Sequence, residues 1–285
     1  MIRKTRISIG GKSQTTLAGG EVIRVKTKAA LTTILILSVV LALTWQTDTA
    51  KGQVVTEGLV SYWTFDEDDI EGGTAKDAWG ENDGTIMGDP ETVEGKVGEA
   101  LNLDGAVDYV EVPDDESLYL WETFTFELWL NQTGTLTEGR LMDKCTAGAS
   151  EGPHFDQYPG MKLRCCSCPG GCCTSADTVY TLDEWHHAVL TYDKGEVSFY
   201  LDGSPDGGGN VGSTPLGGNV LPLRIGATAS DPVSNFFAGI VDEVRVYNRA
   251  LDENEVKQNF AAEGLAVANL TERLALTWGE IKASR

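Results

Sequence analysis

The sequence is poor in basic residues and in histidine. It has 22 Lys and Arg against 43 Asp and Glu, a net charge of −21, and three histidines in 285 residues. A surface this acidic repels nucleic acid and anionic lipid, so neither is an expected partner. The sequence also has no nucleophile elbow, phosphate-binding loop or dinucleotide fingerprint. These absences leave no basis for a nucleotide-dependent enzyme or for a zinc site built on histidines.

A long helical period is also absent before residue 250. From Gly58 onward, short runs of β-branched and aromatic residues alternate with turns rich in Gly, Asp, Asn and Pro. In the segment 124–131, FTFELWLN, every second residue is large and apolar, which places Phe124, Phe126, Leu128 and Leu130 on one face. This pattern predicts an all-β protein made of two packed antiparallel sheets.

A basic leader and an uncharged apolar run form the N-terminus. Residues 1–28 hold seven Lys or Arg and one acidic residue, and residues 29–47 carry no charge. The pattern is typical of an export signal, and we expect an apolar helix here. Ala50 suits a cleavage site, but Asp48 does not, and the run nearly reaches the length of a membrane anchor. Residues 1–50 are predicted to be a cleaved signal peptide or an N-terminal anchor, so the protein is secreted or on the cell surface, with membrane contact only through an uncleaved apolar run.

Six cysteines follow this export signal, five of them in the motif CCSCPGGCC. An oxidising compartment favours disulfides, and the Pro-Gly-Gly turn can bring the two halves of the motif together. Six cysteines allow 15 pairings, and the sequence does not select one. The alternatives are a thiolate cluster for Zn²⁺ or Cu(I), with His154 as an extra ligand, and unpaired or intermolecular thiols. The predicted disulfide residues of this cysteine-rich insertion, residues 145–173, are Cys145, Cys165, Cys166, Cys168, Cys172 and Cys173.

The stretch FAGIVDEVRVYNRALDEN, residues 237–254, carries a carboxylate on the apolar face of a predicted strand. Strict alternation places Asp242 on the same face as Val244 and Val246. A buried carboxylate is costly unless it is paired, hydrogen-bonded or bound to a metal. Asp242 is therefore a candidate site residue.

This stretch and three others resemble laminin G-like jelly-roll domains of the concanavalin A-like lectin and glucanase superfamily. The other three are GLVSYWTFDE, ALNLDGAVDYVEVPDDESL and EWHHAVLTYDKGEVSFYLDG, which lie in the family's order. The resemblance covers residues 58–264 and implies an antiparallel two-sheet jelly-roll sandwich. We therefore expect one domain over residues 51–265 and a tail, residues 266–285, beyond the family's usual end.

Two segments near the end of this domain have their own signals. Asp252 and Glu255 have the spacing of a capping box, which predicts a short C-terminal helix within residues 249–265. The Gly-rich stretch 204–219, SPDGGGNVGSTPLGGN, is predicted to be a flexible loop.

The resemblance implies a calcium site. Many relatives hold Ca²⁺ where the first and last strands meet, and matching that pattern nominates Asp77, Asn82 and Asp242, with Asp66 and Asp83 as weaker options. Carboxylate and amide oxygens suit Ca²⁺. The alternative is that Asp242 accepts backbone N–H bonds and fixes the last strand without a metal.

Enzymes and binding modules share this fold, so the resemblance leaves the activity open. Glucanases of the fold use alternating carboxylates on one strand, and Glu67, Asp69 and Glu71 have that spacing, but the glycines that follow indicate a loop. His186 and His187 are expected to be structural, because neighbours on a strand point to opposite faces.

The predicted function is a non-catalytic extracellular module for carbohydrate recognition or adhesion, with a glycan or a cell-surface protein as partner. A glycoside hydrolase of this fold and a protein–protein interaction domain are the alternatives. Sugar binding needs exposed aromatic rings. Four aromatic residues fall in predicted loops, where each is also compatible with ordinary packing: Trp79, Tyr119, Trp121 and Tyr158.

Overall fold

The structure, a computed structural model, describes residues 53–135, 138–146, 151–158, 160–166, 173–212, 216 and 218–262, together with two short strands near the N-terminus. The chain divides into two compact units, residues 1–50 and 51–285. The predicted export helix and the C-terminal tail lie outside the described residues. In the part of the chain that is described, no helix has the length and apolar character needed to cross a membrane.

The described elements are nearly all strands. In chain order they are β1 (Thr15–Thr16), β2 (Val22–Ile23), β3 (Leu59–Trp63), β4 (Ile70–Glu71), β5 (Thr74–Ala75), β6 (Gly84–Met87), β7 (Glu91–Glu94), β8 (Glu99–Asp104), β9 (Tyr109–Val112), β10 (Thr123–Gln132), β11 (Gly139–Asp143), β12 (His154–Tyr158), β13 (Lys162–Cys166), β14 (Cys173–Ser175), β15 (His186–Asp193), β16 (Glu196–Leu201), β17 (Ser204–Asn210), β18 (Leu223–Ile225), β19 (Ala238–Tyr247) and the helix α1 (Glu253–Phe260). Two 3₁₀ turns span Glu67–Asp69 and Glu116–Leu118.

In the second unit the strands form two antiparallel sheets. Sheet one has the order β17-β16-β15-β10-β19-β8-β7, and β3 also pairs with β19. Sheet two has the order β14-β13-β12-β11-β18-β9-β6-β5-β4. This arrangement confirms the predicted all-β, two-sheet sandwich.

The main core contains side chains from both sheets. The four apolar residues of β10 that alternate in sequence are fully buried in it, as predicted: Phe124, Phe126, Leu128 and Leu130. Sheet two contributes Val110, Val112 and Ile225 to the same cluster. Each large apolar side chain buried here stabilises the fold by about 1.5–3 kcal/mol.

A second, smaller core lies on the outer face of sheet one. There α1 packs Val256 against Tyr62, Val189 and Tyr247. The helix begins after Asp252, whose carboxylate accepts the backbone N–H of Glu255 in a complete capping box, as predicted. The outer face of sheet one is therefore partly covered rather than exposed to solvent.

Two hairpins lie at one edge of sheet one, and the sequence predicted one of them correctly and the other wrongly. The turn between β15 and β16 falls at Lys194 and Gly195, where the notably positive φ values of 49° and 101° suit a tight hairpin. The predicted loop at residues 204–219 is wrong in its first half, because β17 pairs with β16 there. Edge pairing needs only backbone groups, so a Gly-rich stretch can form it without any side-chain pattern.

A bulge in β19 reverses the predicted orientation of Asp242. Glu127 pairs with Arg245, but Trp129 pairs with Asp242, so two residues of β19 oppose Leu128 alone. The extra residue, Glu243, has a φ of 54°. An inserted residue breaks the two-residue alternation. Asp242 therefore lies on the outer face with Trp129, and the prediction that it shares the face of Val244 and Val246 is wrong.

Candidate functional site

Asp242 is fully buried, and only one of its two carboxylate oxygens has hydrogen-bond partners. Its Oδ2 accepts the backbone N–H groups of Lys96 at 2.8 Å and Val97 at 3.0 Å. Its Oδ1 is buried and has no hydrogen-bond partner. Burial raises the pKa of Asp242 to about 8, because the N–H bonds from Val97 and Lys96 only partly offset the loss of hydration.

Lys96 and Val97 belong to a turn, residues 95–99, that Asp66 also contacts. The Oδ1 of Asp66 accepts the backbone N–H of Glu99 at 2.7 Å, and burial raises the pKa of Asp66. A Cβ on Gly98 would lie 2.1 Å from Asp66 Oδ1, and a Cβ on Gly95 would lie 2.7 Å from Asp242 Oδ2. Two glycines thus allow this turn to approach two carboxylates closely.

The other predicted calcium ligands make hydrogen bonds within a different turn. Asp77 Oδ1 accepts N–H bonds from Tyr62, Trp79 and Gly80, and Oδ2 accepts one from Asn82. Asp83 accepts the N–H of Asp77 in the same turn. These bonds hold the turn together.

Asn82 also has structural bonds, because its side-chain amide donates to Ser61 and Ser117. The structure therefore joins Asp77 with Asn82 in one turn and Asp242 with Asp66 on another. The predicted trio is not brought together by these contacts, and the weaker option Asp66 is the carboxylate that shares a turn with Asp242.

A buried ionic network lies beneath α1. Glu127 accepts bonds from Arg245 at 2.7 Å, His187 at 3.0 Å and Asn259 at 2.7 Å. Burial alone would raise the pKa of Glu127, but the Arg245 charge and these hydrogen bonds outweigh it and lower the pKa to about 2. Arg245 also pairs with Glu243. The whole network is shielded from solvent, so it holds α1 and the sheet together and presents no surface to a substrate.

The two adjacent histidines belong to separate structural contacts, as predicted. His187 points into the network beside Glu127, whereas His186 meets Asp202 at 2.9 Å on the other face. Sequence reasoning missed the network because alternation shows only which residues share a strand face, and it does not show that Glu127 and Arg245 meet beneath a helix. The capping box at Asp252 predicted the helix that covers Glu127 and Arg245.

The cysteine-rich segment contains one described disulfide, between Cys166 and Cys173. It joins β13 to β14, and both cysteines are among the predicted disulfide residues. Cys145 carries a free thiol, contrary to the predicted pairing, and burial raises its pKa to about 12. Cys145 follows the end of β11 at Asp143, and β12 lies between β11 and β13, the strand that carries Cys165 and Cys166. Cys165 is buried, and Cys168 and Cys172 lie outside the described residues.

The alternating carboxylates of the glucanase pattern do not share a strand face. Glu67 and Asp69 lie in a 3₁₀ turn, and Glu71 ends the two-residue strand β4. Asp69 accepts a hydrogen bond from Thr64 at 2.6 Å. This local geometry matches the loop that the following glycines predict.

An open pocket of about 510 Å³ lies beside two stacked aromatic rings. The ring centroids of Tyr119 and Trp121 are 5.3 Å apart with an interplanar angle of 25°. Tyr119 is 40% exposed, and its hydroxyl donates to Asp114 at 3.2 Å. We call this the aromatic pocket, and its lining residues are Glu116, Ser117, Tyr119, Leu120, Trp121, Glu122, Thr123 and Asn248.

A second pocket, of about 260 Å³, has a polar lining. Its floor contains the buried side chains of Arg140, Asp143 and His154 from β11 and β12. One wall is the loop 228–235, which supplies hydroxyl, amide and carboxylate groups. Burial raises the pKa of Asp143 despite the nearby charges of His154 and Arg140. We call this the polar pocket.

A metal ion does not suit the cluster of Glu138, His154 and Asp156, of which His154 also lines the polar pocket. Glu138, His154 and Asp156 have ligand atoms within 4.8 Å of one another. However, Arg140 already contacts all three, at 2.7 Å in the case of Glu138. A guanidinium group occupies the position that a cation would take.

Comparison with known proteins identifies similar domains of different functions. Domain 4 of AbnA, an extracellular GH43 arabinanase from Geobacillus stearothermophilus solved in complex with arabinotriose, is 21% identical with a TM-score of 0.52, over 71% of this chain and 98% of that chain. The binding domain of Paraclostridial Mosquitocidal Protein 1 is 17% identical with a TM-score of 0.56, over 72% of this chain and 52% of that chain. Trypanosoma rangeli sialidase in complex with sialic acid is 18% identical with a TM-score of 0.57, over 84% and 39%. These likenesses show a fold shared by enzymes and by binding domains.

Sequence comparison gives one short match and one family match. Adhesion G-protein coupled receptor V1 from Danio rerio is 30% identical over 78 residues, which is 27% of this chain and 1% of the receptor. The chain thus spans only a small fraction of that relative's length. Residues 104–257, more than half of the chain, match the Laminin_G_3 family model, and the protein therefore belongs to the concanavalin A-like lectin/glucanases superfamily.

Proposed function

We propose that this domain is an extracellular, non-catalytic carbohydrate-recognition module and that the aromatic pocket binds the glycan. The observation that carries the proposal is the stacked pair of Tyr119 and Trp121 beside an open pocket. Sugar rings have apolar faces that pack on aromatic rings, while their hydroxyls need polar groups around the edge. The pocket offers both, because Glu116 and Glu122 lie beside the rings.

The aromatic rings are held in place from the protein side. Lys144 lies with its Nζ 5.8 Å from the Tyr119 ring centroid, and the Tyr119 hydroxyl is bonded to Asp114. The carbonyl of Trp121 accepts the N–H of Leu216 at 2.9 Å. Within the described residues the indole N–H of Trp121 makes no hydrogen bond, so it is available to donate to a sugar hydroxyl. A fixed ring pair loses little conformational entropy when a ligand binds.

The similar domains support this class of ligand without identifying it. One of them was solved with arabinotriose and another is the binding domain of a mosquitocidal protein. An extracellular location agrees with the Cys166–Cys173 disulfide, since disulfides persist in oxidising compartments, and with the basic N-terminal leader. The short likeness to an adhesion receptor is compatible with a cell-surface role.

Calcium binding is part of the proposal, with its site moved to the turn at residues 95–99. Asp242 has a buried oxygen without a partner, and Asp66 reaches the same glycine-containing turn. Hard carboxylate oxygens near backbone carbonyls suit Ca²⁺. The ion would supply the positive charge that the Asp242 carboxylate lacks, and it would stabilise the contact between β19 and this turn.

A glycoside hydrolase remains the alternative because the polar pocket holds Asp143, whose pKa is raised. A raised pKa is a property of catalytic acids. However, Asp143 accepts the N–H of Cys145 at 2.7 Å and lies 2.8 Å from Arg140, so its oxygens are engaged. An assay for release of reducing sugar from bound glycans separates the two functions, and we expect no release.

A further inference from the structure

Arg140, on the floor of the polar pocket, is already paired with carboxylates of the protein. Arg140 pairs with Glu138 at 2.7 Å, with Asp143 at 2.8 Å and with Asp156. Arg164 pairs with Glu138 at 2.6 Å and with Asp156. Two guanidinium groups thus meet three carboxylates, and both are used within the protein. A ligand that enters the pocket finds no uncompensated positive charge in this set.

The loop that forms the pocket wall is fixed to the sheets. Arg224 donates to the carbonyl of Thr228 at 2.8 Å, and the hydroxyl of Thr228 accepts the N–H of Ser234 at 2.9 Å. The carbonyl of Asn235 accepts the N–H of Arg140 at 2.9 Å, which ties the loop to β11. The wall is therefore pre-organised and does not need to be ordered by a ligand.

The wall also carries neutral polar groups that are not used by the protein. Within the described part of the chain, the Ser230 hydroxyl and the Asn235 side-chain amide make no hydrogen bonds. Asp231 on the same loop is 82% exposed and lies 3.5 Å from Arg224. The groups available to a ligand are thus a hydroxyl, an amide and a carboxylate.

We propose that the polar pocket binds one neutral, hydroxyl-rich sugar unit and rejects acidic sugars. A sugar hydroxyl both donates and accepts, so it matches the Ser230 hydroxyl, the Asn235 amide and a carboxylate acceptor. A sugar carboxylate would instead face the exposed carboxylate of Asp231, and the guanidinium groups that could offset this repulsion are already paired with other carboxylates, which is unfavourable. The volume of about 260 Å³ lies near the lower end of small-ligand sites, which suits a single ring.

This subsite is separate from the aromatic pocket, since the two share no lining residue. The inference rests on the proposed function only in taking a sugar as the ligand. The preference for a neutral sugar comes from the charges of the polar pocket itself.

Backbone amide shifts at Ser230 and Asn235, measured by NMR on the full chain, test the proposal. The probes are glucose, galactose, mannose and arabinose, compared with glucuronate and N-acetylneuraminate. We expect at least one neutral sugar to shift both amides in a saturable way. Acidic sugars are expected to leave these amides unmoved at the same concentrations.

Two substitutions assign the effect to the pocket. Ser230→Ala and Asn235→Asp each remove a neutral hydrogen-bonding group, so each should weaken binding by about three- to tenfold. Aspartate is chosen because Asn235 has a φ of 52°, which Asn and Asp tolerate. Val179→Ala is the matched control, because Val179 is 55% exposed and lines neither pocket, and it should leave these shifts unchanged.

Three results would overturn the proposal: stronger binding of the acidic sugars, affinities unchanged in both variants, or no shift with any neutral sugar up to about 50 mM, well above a millimolar Kd. Failure of glycan binding at Tyr119 and Trp121, with the Ser230 and Asn235 response intact, would count against the proposed function alone. The experiments can therefore contradict either proposal without contradicting the other.

Discussion

Arg245 donates a hydrogen bond to Glu127 at 2.7 Å, and both side chains are buried between sheet one and α1. The other carboxylate oxygen of Glu127 accepts from Asn259 of the helix at 2.7 Å. The backbone N–H of Val55 donates to the same Asn259 side chain at 2.7 Å. One ion pair thus connects the two central strands of sheet one with the helix and the segment that precedes β3.

Breaking this ion pair should destabilise the whole domain. Glu127→Ala leaves the Arg245 charge buried with one fewer partner, so we expect a loss of about 3–5 kcal/mol in the free energy of unfolding. Urea denaturation measures this loss. The single variant Arg245→Met and the double variant Glu127→Leu, Arg245→Met complete a mutant cycle, in which the double variant should lose less stability than the sum of the two single losses. A double variant that loses the sum of the two single effects would contradict the ion-pair account.

The pH dependence of stability should carry the signature of Glu127. Its pKa is lowered to about 2 in the folded protein, from 4.5. The unfolded state therefore binds its proton first, so the contribution is complete above pH 4.5 and is lost as the pH falls from 4.5 to about 2. Its full size is about 3 kcal/mol. Denaturation at stepped pH should show a shallower acid slope for Glu127→Gln than for the parent, and equal slopes would refute this assignment.

Calcium should stabilise the protein through Asp242. At 100 times its Kd, Ca²⁺ adds about 2.7 kcal/mol, which raises the Tm by roughly 5–10 °C for a domain of this size. Differential scanning calorimetry with calcium and with chelator measures the shift, and Asp242→Asn should abolish it. Asp77→Asn is the control, since that carboxylate holds a turn: it should lower the Tm without changing the calcium response. The opposite pattern in the two variants would place the site at Asp77.

Three of the described cysteines should separate into a bonded pair, Cys166 and Cys173, and a free thiol, Cys145. Alkylation of the denatured, unreduced protein followed by peptide mapping should modify Cys145 and leave Cys166 and Cys173 linked. Closing this short loop restricts the unfolded chain, so Cys173→Ser should cost about 2–3 kcal/mol of stability. Reduction should lower the stability of the parent by the same amount and leave that of Cys173→Ser unchanged. Alkylation of Cys166 and Cys173 before reduction would contradict the assigned disulfide.

Much of the fold could be predicted because it depends on short-range patterns. The alternation of Phe124 to Leu130 identified a core strand, the spacing of Asp252 and Glu255 identified the helix start, and Lys194-Gly195 marked a hairpin. Each of these signals is contained in a few neighbouring residues. The long-range pairing followed from the family resemblance and was confirmed by the sheet order.

The site could not be predicted in the same way, because its features depend on chain segments that meet only in the fold. The bulge at Glu243 moved Asp242 to the outer face, and no residue type in that strand signals a bulge there. The contact of Asp242 with the turn at residues 95–99 joins positions about 145 residues apart. Loop aromatics could be noted from the sequence, but the stacking of Tyr119 on Trp121 and the exposure of Tyr119 required the structure.

The most direct test of glycan recognition is a glycan array probed with the parent protein, Tyr119→Ala, Trp121→Ala and Tyr158→Ala. Tyr158 is the matched control because it is 42% exposed but lies outside the aromatic pocket. We expect the parent to bind a defined set of glycans, and Tyr119→Ala and Trp121→Ala to weaken that binding at least about tenfold, through lost ring contact, at an unchanged Tm. Tyr158→Ala should bind like the parent. A parent protein that binds no glycan, or binding that survives both pocket substitutions, would contradict the account.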